Sequence, residues 1–391
     1  MKKYKIGELG SVFTGNTPSK RNNEFYESDD IMFIKPDILS FDIIDIKQSN
    51  EYLSEKARKK ARIIPKGSLL VSCIGNIGKL GINIEEVAFN QQINAIVHNN
   101  KITSSKYLAY LLKYNQKKLE SIANAPVVPI INKSQFSDFE LLIHEELEIQ
   151  RKIVEILDKA QELIDKRKEQ IKELDELVKS QFIEMFGDPV SNPKGWEKGK
   201  IADIIIKTQY GTSNKANEEN GQFKILRMGN ITYNGHFDFS DMKYIDLTED
   251  EQKKYLVYKG EVLFNRTNSK ELVGKTAVYK ENEPMAYAGY LVKALPNERA
   301  TGEFIAAYMN TKYVKSKLLN MAKNIVGMAN INAEEFKKID IYIPPIELQN
   351  EYIKFIEQVD KLKFEMENSL KELEDNFNSL MQRAFKGELI K

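Results

Sequence analysis

The sequence predicts an α+β protein in which two α/β domains alternate with two long helices that form an antiparallel coiled coil, with an internal pseudo-two-fold repeat. Three observations support this fold. Apolar residues recur at alternating spacings of three and four between Gln150 and Met185, which is typical of a coiled-coil helix. The same spacing returns 199 residues later, between Gln349 and Ala384. Short motifs also recur in the same order before each helix, so the chain repeats one domain followed by one helix.

Length and composition favour a soluble protein with two domains. The chain has 391 residues, more than an ordinary single hydrophobic core accommodates. Hydrophobic residues form 42% of it and charged residues 29%, and no stretch approaches the roughly 18 consecutive apolar residues of a membrane span. The first residues, Met1 to Tyr4, are not followed by the apolar core of a secretion signal. We therefore expect a cytoplasmic protein that makes no membrane contact.

The residues that most often build disulfides and metal sites are scarce. A single cysteine, Cys73, excludes an internal disulfide. The three histidines fit no usual zinc spacing; they are His98, His144 and His236. We expect neither a metal nor a cofactor to be bound by this chain.

Charge is unevenly distributed along the chain. Between Glu145 and Phe186 there are 12 acidic and 8 basic residues, and between Glu347 and Lys386 there are 9 and 6. The two helical segments together carry −7, so the remainder of a chain with net charge +1 carries +8. Basic domains on an acidic helical scaffold fit a DNA-binding protein. The common use of Glu as a helix former explains part of the same asymmetry.

The first domain is predicted to span residues 1–144 and to be built from short strands, turns and one helix. The stretches rich in β-branched or apolar residues are Ile31–Ile34, Ser68–Ile74 and Ala88–Val97, and glycine and asparagine separate them. Helical spacing of apolar residues predicts a helix from Ser105 to about Ala123.

The two helices are predicted within residues 145–187 and 346–391. The first ends near Gly187, where a cluster of Pro, Asn and Gly residues interrupts the pattern. Each helix has one charged residue at an apolar seam position, Arg167 in the first and Lys363 in the second. We interpret both as long side chains that extend from the seam to solvent, in preference to a role in fixing the register.

The second domain, residues 188–345, repeats the first in order. Four segments correspond: residues 6–9 with 201–204, 65–70 with 258–263, 106–112 with 303–309, and 131–136 with 331–336. The copies agree in pattern more than in identity, so two domains of one architecture have different surfaces. Connectivity then requires antiparallel helices and domains inverted relative to each other. A seam of 36 residues is roughly 54 Å long, about one and a half turns of B-DNA.

These features together resemble the specificity subunit of type I restriction-modification systems. Three segments carry the resemblance: GDPVSNPKGWEKGKIADI, from residue 187, resembles the start of that family's second recognition domain; INAEEFKKIDIYIPPIELQNEYI, from residue 331, resembles the passage into its second helix; and LMQRAFKGEL, from residue 380, resembles its C-terminal end. The order of these motifs and the internal repeat make the similarity extend over nearly the whole chain.

The resemblance implies a function and a set of partners. Each domain of such a subunit recognises one half of a bipartite double-stranded DNA target, with the coiled coil as spacer. The subunit binds two N6-adenine methyltransferase subunits and, for cleavage, motor-nuclease restriction subunits. It does no chemistry itself, so S-adenosylmethionine, ATP and Mg²⁺ would belong to the partner subunits.

Polar loops at equivalent places in the two domains are the candidate DNA-binding segments, because amide, hydroxyl and cationic side chains contact base edges and phosphates. In the first domain the candidates are Thr14, Asn16, Thr17, Ser19, Lys20, Arg21, Asn22, Ser72, Asn76, Lys79, Gln91, Gln92 and Asn94. In the second they are Gln209, Tyr210, Thr212, Ser213, Asn214, Lys215, Asn265, Arg266, Thr267, Asn268, Ser269 and Lys270, with Arg227 and Asn230 as weaker candidates. Plain turn chemistry also places Asn, Ser and Gly in loops.

Two other functions stay open at this point. A coiled-coil adaptor that binds only proteins would share the helices but would not need basic loops. A metal-dependent nuclease could be built around Asp37, Asp45 and Lys47, although the alternation around Asp45 is also that of a half-buried strand. The run Gly75–Lys79 does not match a phosphate-binding loop, and a methyltransferase's glycine-rich turn and Asn/Asp-Pro-Pro-aromatic motif are both missing from the sequence.

Overall fold

The computed structural model describes residues 1–124, 128–325 and 328–390, and the chain in it divides into two compact units. Unit 1 is formed by Met1–Arg167 and Ser369–Lys391, and unit 2 by Lys168–Asn368. Each unit therefore combines one α/β domain with one part of each long helix. The fold predicted from the sequence, two α/β domains alternating with two long helices, is confirmed.

The described residues of unit 1 form three sheets. Its strands are β1 (Lys2–Lys5), β2 (Gly10–Thr14), β3 (Ile31–Ile34), β4 (Asp45–Ile46), β5 (Tyr52–Leu53), β6 (Ile63–Ile64), β7 (Leu69–Ser72), β8 (Leu80–Asn83), β9 (Val87–Phe89), β10 (Ile93–His98) and β11 (Glu140–Ile143). The central sheet has the order β2-β10-β7-β8-β4, a second has the order β5-β3-β9-β6, and β1 pairs with β11. Its short helices are α1 (Ile6–Leu9), α2 (Ser105–Tyr114), α3 (Gln116–Ser121) and α4 (Lys133–Asp138).

Two predicted elements of unit 1 are each divided in the structure. The stretch predicted as one strand from Ala88 to Val97 forms β9 and β10, because Asn90 and Gln92 make a turn in which the Gln92 amide donates to the Asn90 side chain at 3.1 Å. The predicted helix from Ser105 to Ala123 becomes α2 and α3, which meet at the buried Asn115. Apolar periodicity continues across both breaks, which is why the sequence did not reveal them.

Unit 2 repeats this architecture with one additional sheet. Its first long helix, α5 (Leu147–Phe186), enters from unit 1 and is followed by β12 (Glu197–Lys200), β13 (Ile205–Tyr210), β14 (Phe223–Leu226), β15 (Lys243–Ile245), α6 (Glu249–Tyr255), β16 (Leu256–Val257), β17 (Val262–Asn265), β18 (Thr267–Asn268), β19 (Thr276–Val278), β20 (Met285–Tyr287), β21 (Leu291–Pro296), α7 (Gly302–Met309), α8 (Lys312–Met321), β22 (Lys323–Ile325), β23 (Met328–Asn330), α9 (Ala333–Lys337), β24 (Asp340–Ile343) and α10 (Ile346–Phe385).

The sheets of unit 2 correspond to those of unit 1. The order β13-β21-β17-β19 matches β2-β10-β7-β8, the order β15-β14-β20-β16 matches β5-β3-β9-β6, and the pair β12-β24 matches β1-β11. The additional sheet, β18-β23-β22, is formed partly by the polar segment that follows β17. The internal repeat seen in the sequence is therefore a repeat of topology.

The long helices α5 and α10 have 40 residues each, a length of roughly 60 Å. Every predicted seam position on them is buried or half-buried. In unit 2 the Tyr352 ring lies 5.7 Å from the Phe182 ring, and its hydroxyl donates to the Val178 carbonyl at 3.3 Å. Asp175, earlier in α5, contacts Lys363, later in α10. The two helices are therefore antiparallel within unit 2.

Lys363 differs from its predicted interpretation. Its ammonium lies 2.6 Å from the Asp175 carboxylate, and both side chains are about four-fifths buried. The side chain is therefore an ion-pair partner between the two helices of unit 2 and does not extend freely to solvent. Arg167, the charged seam residue of the first helix, is half-buried.

A buried glutamine fixes the start of each long helix. The Gln150 amide donates to the carbonyls of Ile102 and His144, at 2.8 and 2.7 Å. The Gln349 amide donates to the Arg299 and Pro344 carbonyls, at 3.0 and 2.9 Å. The repeat therefore preserves how each helix is attached to its domain.

Candidate nucleic-acid interface

The topology of unit 1 brings its candidate loops to one end of the central sheet. Antiparallel pairing places Thr14 at the end of β2 beside Asn94 at the start of β10, and Ser72 at the end of β7 beside Ile93. The loops that follow or precede these strands, Gly15–Asn22, Cys73–Lys79 and Asn90–Gln92, therefore lie together. We call these three loops the loop end of unit 1.

Hydrogen bonds join the loops of this end. The Thr17 hydroxyl donates to the Gln91 side chain at 2.8 Å. Asn16 is held by the segment before β6: its amide donates to the Lys60 carbonyl at 2.7 Å, and its side-chain oxygen accepts from the Arg62 backbone at 2.6 Å. Lys60 and Arg62 are exposed cations at the loop end that the sequence analysis missed. No local signal could have found them, since they lie more than 40 residues from Asn16 in the chain.

Most of the candidate side chains in unit 1 are accessible. The exposed ones are Asn16, Thr17, Ser19, Lys20, Arg21, Asn76 and Gln91, and the half-buried ones are Thr14, Asn22, Lys79 and Gln92. Asn22 caps the short 3₁₀ helix Asn23–Tyr26 by accepting from the Glu24 backbone at 3.2 Å, and the Lys79 ammonium lies 5.8 Å from the centre of the Phe41 ring. The loop end of unit 1 thus carries hydroxyl, amide and cationic groups.

Two candidates of unit 1, Ser72 and Asn94, occupy buried positions. The Ser72 hydroxyl donates to the Asn76 carbonyl at 2.5 Å and accepts from the Lys79 backbone at 2.9 Å, which closes the loop between them. Asn94 accepts from the Thr14 hydroxyl at 2.6 Å and donates to the Cys73 sulfur at 3.3 Å. Both side chains are buried, and their hydrogen bonds hold the loops from inside the unit.

Cys73 lies at the centre of this closed arrangement. Only 2% of it is exposed, and burial raises the pKa of its thiol to about 12. The thiol is therefore neutral at physiological pH and has the character of a small apolar group.

Unit 2 brings its candidate loops together in the same way. Tyr210 at the end of β13 is paired with Val292, and Asn265 at the end of β17 with Leu291. The loops Gly211–Lys215, Arg266–Lys275 and Ala288–Tyr290 form what we call the loop end of unit 2. A Cβ at Gly211 would lie 2.3 Å from the Tyr287 and Ala288 carbonyls, and one at Gly15 in unit 1 would be as close to the corresponding pair. Both loops therefore start with a close backbone contact that only glycine allows.

Several neighbouring groups restrict Arg266, a half-buried cation of this end. Its guanidinium carbon lies 5.0 Å from the centre of the Tyr210 ring. One terminal nitrogen donates to the Gly289 carbonyl at 3.5 Å and the other to the Asn330 side chain at 3.3 Å. The Tyr210 hydroxyl in turn accepts from the Ala333 backbone at 3.0 Å. The guanidinium is thus positioned by Tyr210 on β13, Gly289 in a loop and Asn330 on β23, although it is only half-buried.

Three of the main candidates in unit 2 are buried. Asn265 is fully buried, and its amide donates to the Met228 carbonyl at 3.3 Å. Thr212 accepts from the Asn214 backbone at 3.1 Å. Thr267 belongs to β18 and pairs with Asn330. Asn230, the weaker candidate, is buried too and accepts from the Arg227 backbone. These side chains shape the loops.

The other candidates of unit 2 remain accessible. Ser213, Asn214, Lys215, Tyr210 and Lys270 are exposed, and Gln209, Arg227, Asn268 and Ser269 are half-buried. Arg227 forms an ion pair with Asp241 at 2.8 Å, and Asn214 donates to the Glu251 carboxylate at 2.9 Å. The structure adds Tyr290, which is 48% exposed, and Asn330, which was not expected because β23 lies far from the other loops in the chain.

Unit 2 also contains lysines in its interior. The Lys293 ammonium lies 3.1 Å from the Glu261 carboxylate, and the two side chains are 7% and 9% exposed. Lys275 donates to the carbonyls of Met228 and Ile231, and burial lowers the pKa of its ammonium. These charged groups lie inside unit 2 and are paired with a carboxylate or with backbone carbonyls.

Across residues 1–124, 128–325 and 328–390, the structure has no group of three or more His, Cys, Asp and Glu side chains that could hold a metal ion. In particular, Asp45 lies on β4 with its side chain exposed. No helix within these residues is long and apolar enough to cross a membrane.

Comparison with known proteins gives one consistent family. The family model described as the type I restriction modification DNA specificity domain matches residues 1–176 and 193–375. The specificity subunit of the type I restriction enzyme EcoKI from Escherichia coli is 23% identical over 315 residues, which cover 75% of this chain and 68% of that subunit. The MjaIX specificity subunit from Methanocaldococcus jannaschii is 27% identical over 286 residues, which cover 67% of this chain and 65% of that subunit.

A solved structure supports the fold. A chain from a study of complex assembly and conformational transition in the type I R-M system superimposes with a TM-score of 0.62. The two chains are 16% identical, and the alignment covers 99% of this chain and 98% of the other. At that identity the similarity concerns the fold alone.

Proposed function

Because this chain belongs to the type I restriction modification DNA specificity family, we propose that it is a sequence-specific DNA-binding subunit whose two units each bind one half of a bipartite target. The observation that carries the proposal is the convergence of three polar loops at one end of the central sheet in both units. Unrelated turns would not place their amide, hydroxyl and cationic groups together twice. The long helices then act as the spacer between the half-sites.

The chemistry of both loop ends supports DNA as the ligand. Arginine, lysine and amide side chains are the groups that contact phosphates and base edges. In unit 1 these are provided by Lys20, Arg21 and Gln91, and in unit 2 by Lys215, Arg266 and Lys270, all exposed or half-buried. The two sets differ residue by residue, as two different half-sites require.

The partners follow from the family. We propose that the chain binds two N6-adenine methyltransferase subunits and, for cleavage, motor-nuclease restriction subunits. S-adenosylmethionine, ATP and Mg²⁺ would then be bound by those subunits, and this chain would contribute recognition and assembly without catalysis.

A binding experiment tests the proposal. The chain is purified together with its methyltransferase subunits, and its affinity for genomic DNA fragments is measured by fluorescence anisotropy at several salt concentrations. We expect affinity to fall steeply with salt, because cations that neutralise phosphates release counterions. We also expect a subset of fragments to compete at least about 1000-fold better than the average fragment.

Two results would contradict the proposal. A complex that binds no DNA at low salt would favour the protein-only adaptor. Cleavage of DNA by the isolated chain with Mg²⁺ would favour the nuclease.

A further inference from the structure

Unit 1 and unit 2 place different chemistry at one equivalent backbone position. In unit 1 the Cys73 amide donates to the Gln92 carbonyl and its own carbonyl accepts from Ile131. In unit 2 the Arg266 amide donates to the Tyr290 carbonyl and its carbonyl accepts from Ile331. Cys73 and Arg266 are therefore structural equivalents: Cys73 is the first residue after β7, and Arg266 is the first residue after β17.

The neighbours of this position differ together with it. In unit 1 Cys73 contacts Asn94, and Asn94 accepts from Thr14, so the three side chains satisfy one another inside the unit. Strand pairing puts Val292 and Tyr210 at the places of Asn94 and Thr14 in unit 2. Valine offers no hydrogen bond, and the tyrosine ring turns its face to the guanidinium. The closed polar cluster of unit 1 is thus replaced by a half-buried cation.

The geometry of Arg266 is that of an oriented donor. Its Nε is buried and, within the described part of the chain, has no hydrogen-bond partner. Its two terminal nitrogens make only the long contacts of 3.5 and 3.3 Å to Gly289 and Asn330. A ring at 5.0 Å restricts the plane of the guanidinium. A fixed plane of this kind is what a two-pronged contact needs, because both donated bonds must point at their acceptors at once.

Guanine is the base that matches this donor. It presents two acceptors, O6 and N7, side by side in the major groove, and arginine donating to both is the commonest base-specific contact in protein–DNA complexes. When DNA binds, guanine O6 and N7 can replace Gly289 and Asn330 as the acceptors of the two terminal nitrogens. Only two weak hydrogen bonds within the protein are then lost.

We propose that Arg266, held by Tyr210, recognises a guanine in the half-site bound by unit 2, and that unit 1 has no corresponding guanine contact because Cys73 occupies that position. This inference rests on the proposed function. It assigns one residue, Arg266, to the recognition of one base, guanine, at one position of the half-site.

Selection from random DNA tests the inference. The complete complex of this chain with its methyltransferase subunits is incubated with duplexes that carry a randomised central region, and bound sequences are determined. We expect the wild-type complex to enrich one guanine in one half-site by at least about tenfold over other bases. In Arg266→Gln and Arg266→Leu, we expect that preference to fall by about tenfold while every base of the other half-site is still selected.

Variants of Tyr210 separate orientation from folding. Tyr210→Phe keeps the ring beneath the guanidinium, so it should reduce the guanine preference less than Tyr210→Leu does. Tyr210→Leu removes the ring and should reduce the preference by about threefold. Arg299→Ala is the matched control, because this half-exposed arginine follows β21 at the opposite end of the central sheet and pairs with Glu197; we expect its motif to equal that of the wild type.

The outcomes distinguish the inference from the function on which it rests. A wild-type complex that enriches no motif would contradict the proposed DNA recognition. A wild-type motif whose bases all remain selected in Arg266→Gln and Arg266→Leu, or a uniform loss of affinity with an unchanged motif, would contradict only the assignment of guanine to Arg266.

Discussion

Unit 1 and unit 2 share a topology, but unit 1 fills the interior of its central sheet with small neutral residues where unit 2 uses charges. The equivalents of Glu261 and Lys293 in unit 2 are Ser68 and Ala95 in unit 1, as strand pairing shows. Cys73 and Arg266 form the same kind of contrast at the loop end. The two units therefore share one pattern of backbone hydrogen bonds. Different side chains on that backbone give them two different candidate recognition surfaces.

Breaking the buried ion pair should have the largest effect. Lys293→Met leaves the Glu261 carboxylate, which is 9% exposed, without its cation, so we expect unit 2 to lose about 3 kcal/mol of stability. Glu261→Gln combined with Lys293→Met should restore at least half of that loss. Hydrogen exchange of unit 2 amides measures the change, and Lys224→Met, on an exposed lysine, is the matched control. A loss in the single variant no larger than in the control would contradict the role of the pair.

The buried position of Cys73 in unit 1 should make its thiol unreactive. With its pKa raised to about 12, Cys73 is almost entirely protonated at pH 8, whereas an ordinary thiol is about one quarter ionised. We expect iodoacetamide to alkylate Cys73 at least about 100-fold more slowly in the folded chain than in urea. Intact-mass spectrometry follows the reaction. Equal rates in the two conditions would show that the position is open.

Gln150 and Gln349, at the starts of the two long helices, should contribute differently to the stability of their units. Gln349 also accepts from the Thr301 backbone at 2.9 Å, whereas the Gln150 side-chain oxygen has no partner among the described residues. We therefore expect Gln349→Leu to destabilise unit 2 by about 1 kcal/mol more than Gln150→Leu destabilises unit 1. Hydrogen exchange of α10 and α5 amides gives both values. The reverse order would contradict the inferred difference in hydrogen bonding.

The ion pair between the long helices should have the smallest effect. Lys363 occupies the repeat position of Ile164, which is buried in unit 1. Lys363→Ile transfers the residue of unit 1 into unit 2 and should cost only about 0.5 kcal/mol at low salt, because about one fifth of each side chain of the pair is exposed and the apolar contacts of isoleucine partly offset the lost attraction. The loss of stability caused by Lys363→Ile should be smaller in 1 M NaCl, because salt already screens the attraction between Lys363 and Asp175 in the wild type. A cost above about 2 kcal/mol at both salt concentrations would contradict a pair that is stabilised mainly by charge.

The sequence predicted the parts of this structure that depend on periodicity and order. The seam positions, the duplicated domain and the polar loops after β2 and β7 all follow from local patterns that recur. Antiparallel pairing then brings those loops together without further information. The repeat was therefore sufficient to place the candidate interface.

What the sequence could not predict depends on contacts between distant residues. Ser72 and Asn265 look like loop residues because they are polar and follow apolar strands, but each turns inward to hold its loop. Tyr210 at the end of β13 contacts Arg266 in the segment after β17, and Lys363 contacts Asp175 on the other long helix. Lys275 and Lys293 are buried because backbone carbonyls and a carboxylate surround them, which no spacing rule reveals.

The central claim is that each unit recognises its own half of one DNA target. Base-resolution mapping of N6-methyladenine in cells that express this chain with its methyltransferase subunits tests it most directly. We expect methylation at a bipartite motif whose two specified halves are separated by a fixed number of unspecified base pairs, with only one half altered in Arg266→Gln. A continuous motif, or methylation without sequence preference, would contradict recognition by two separate units.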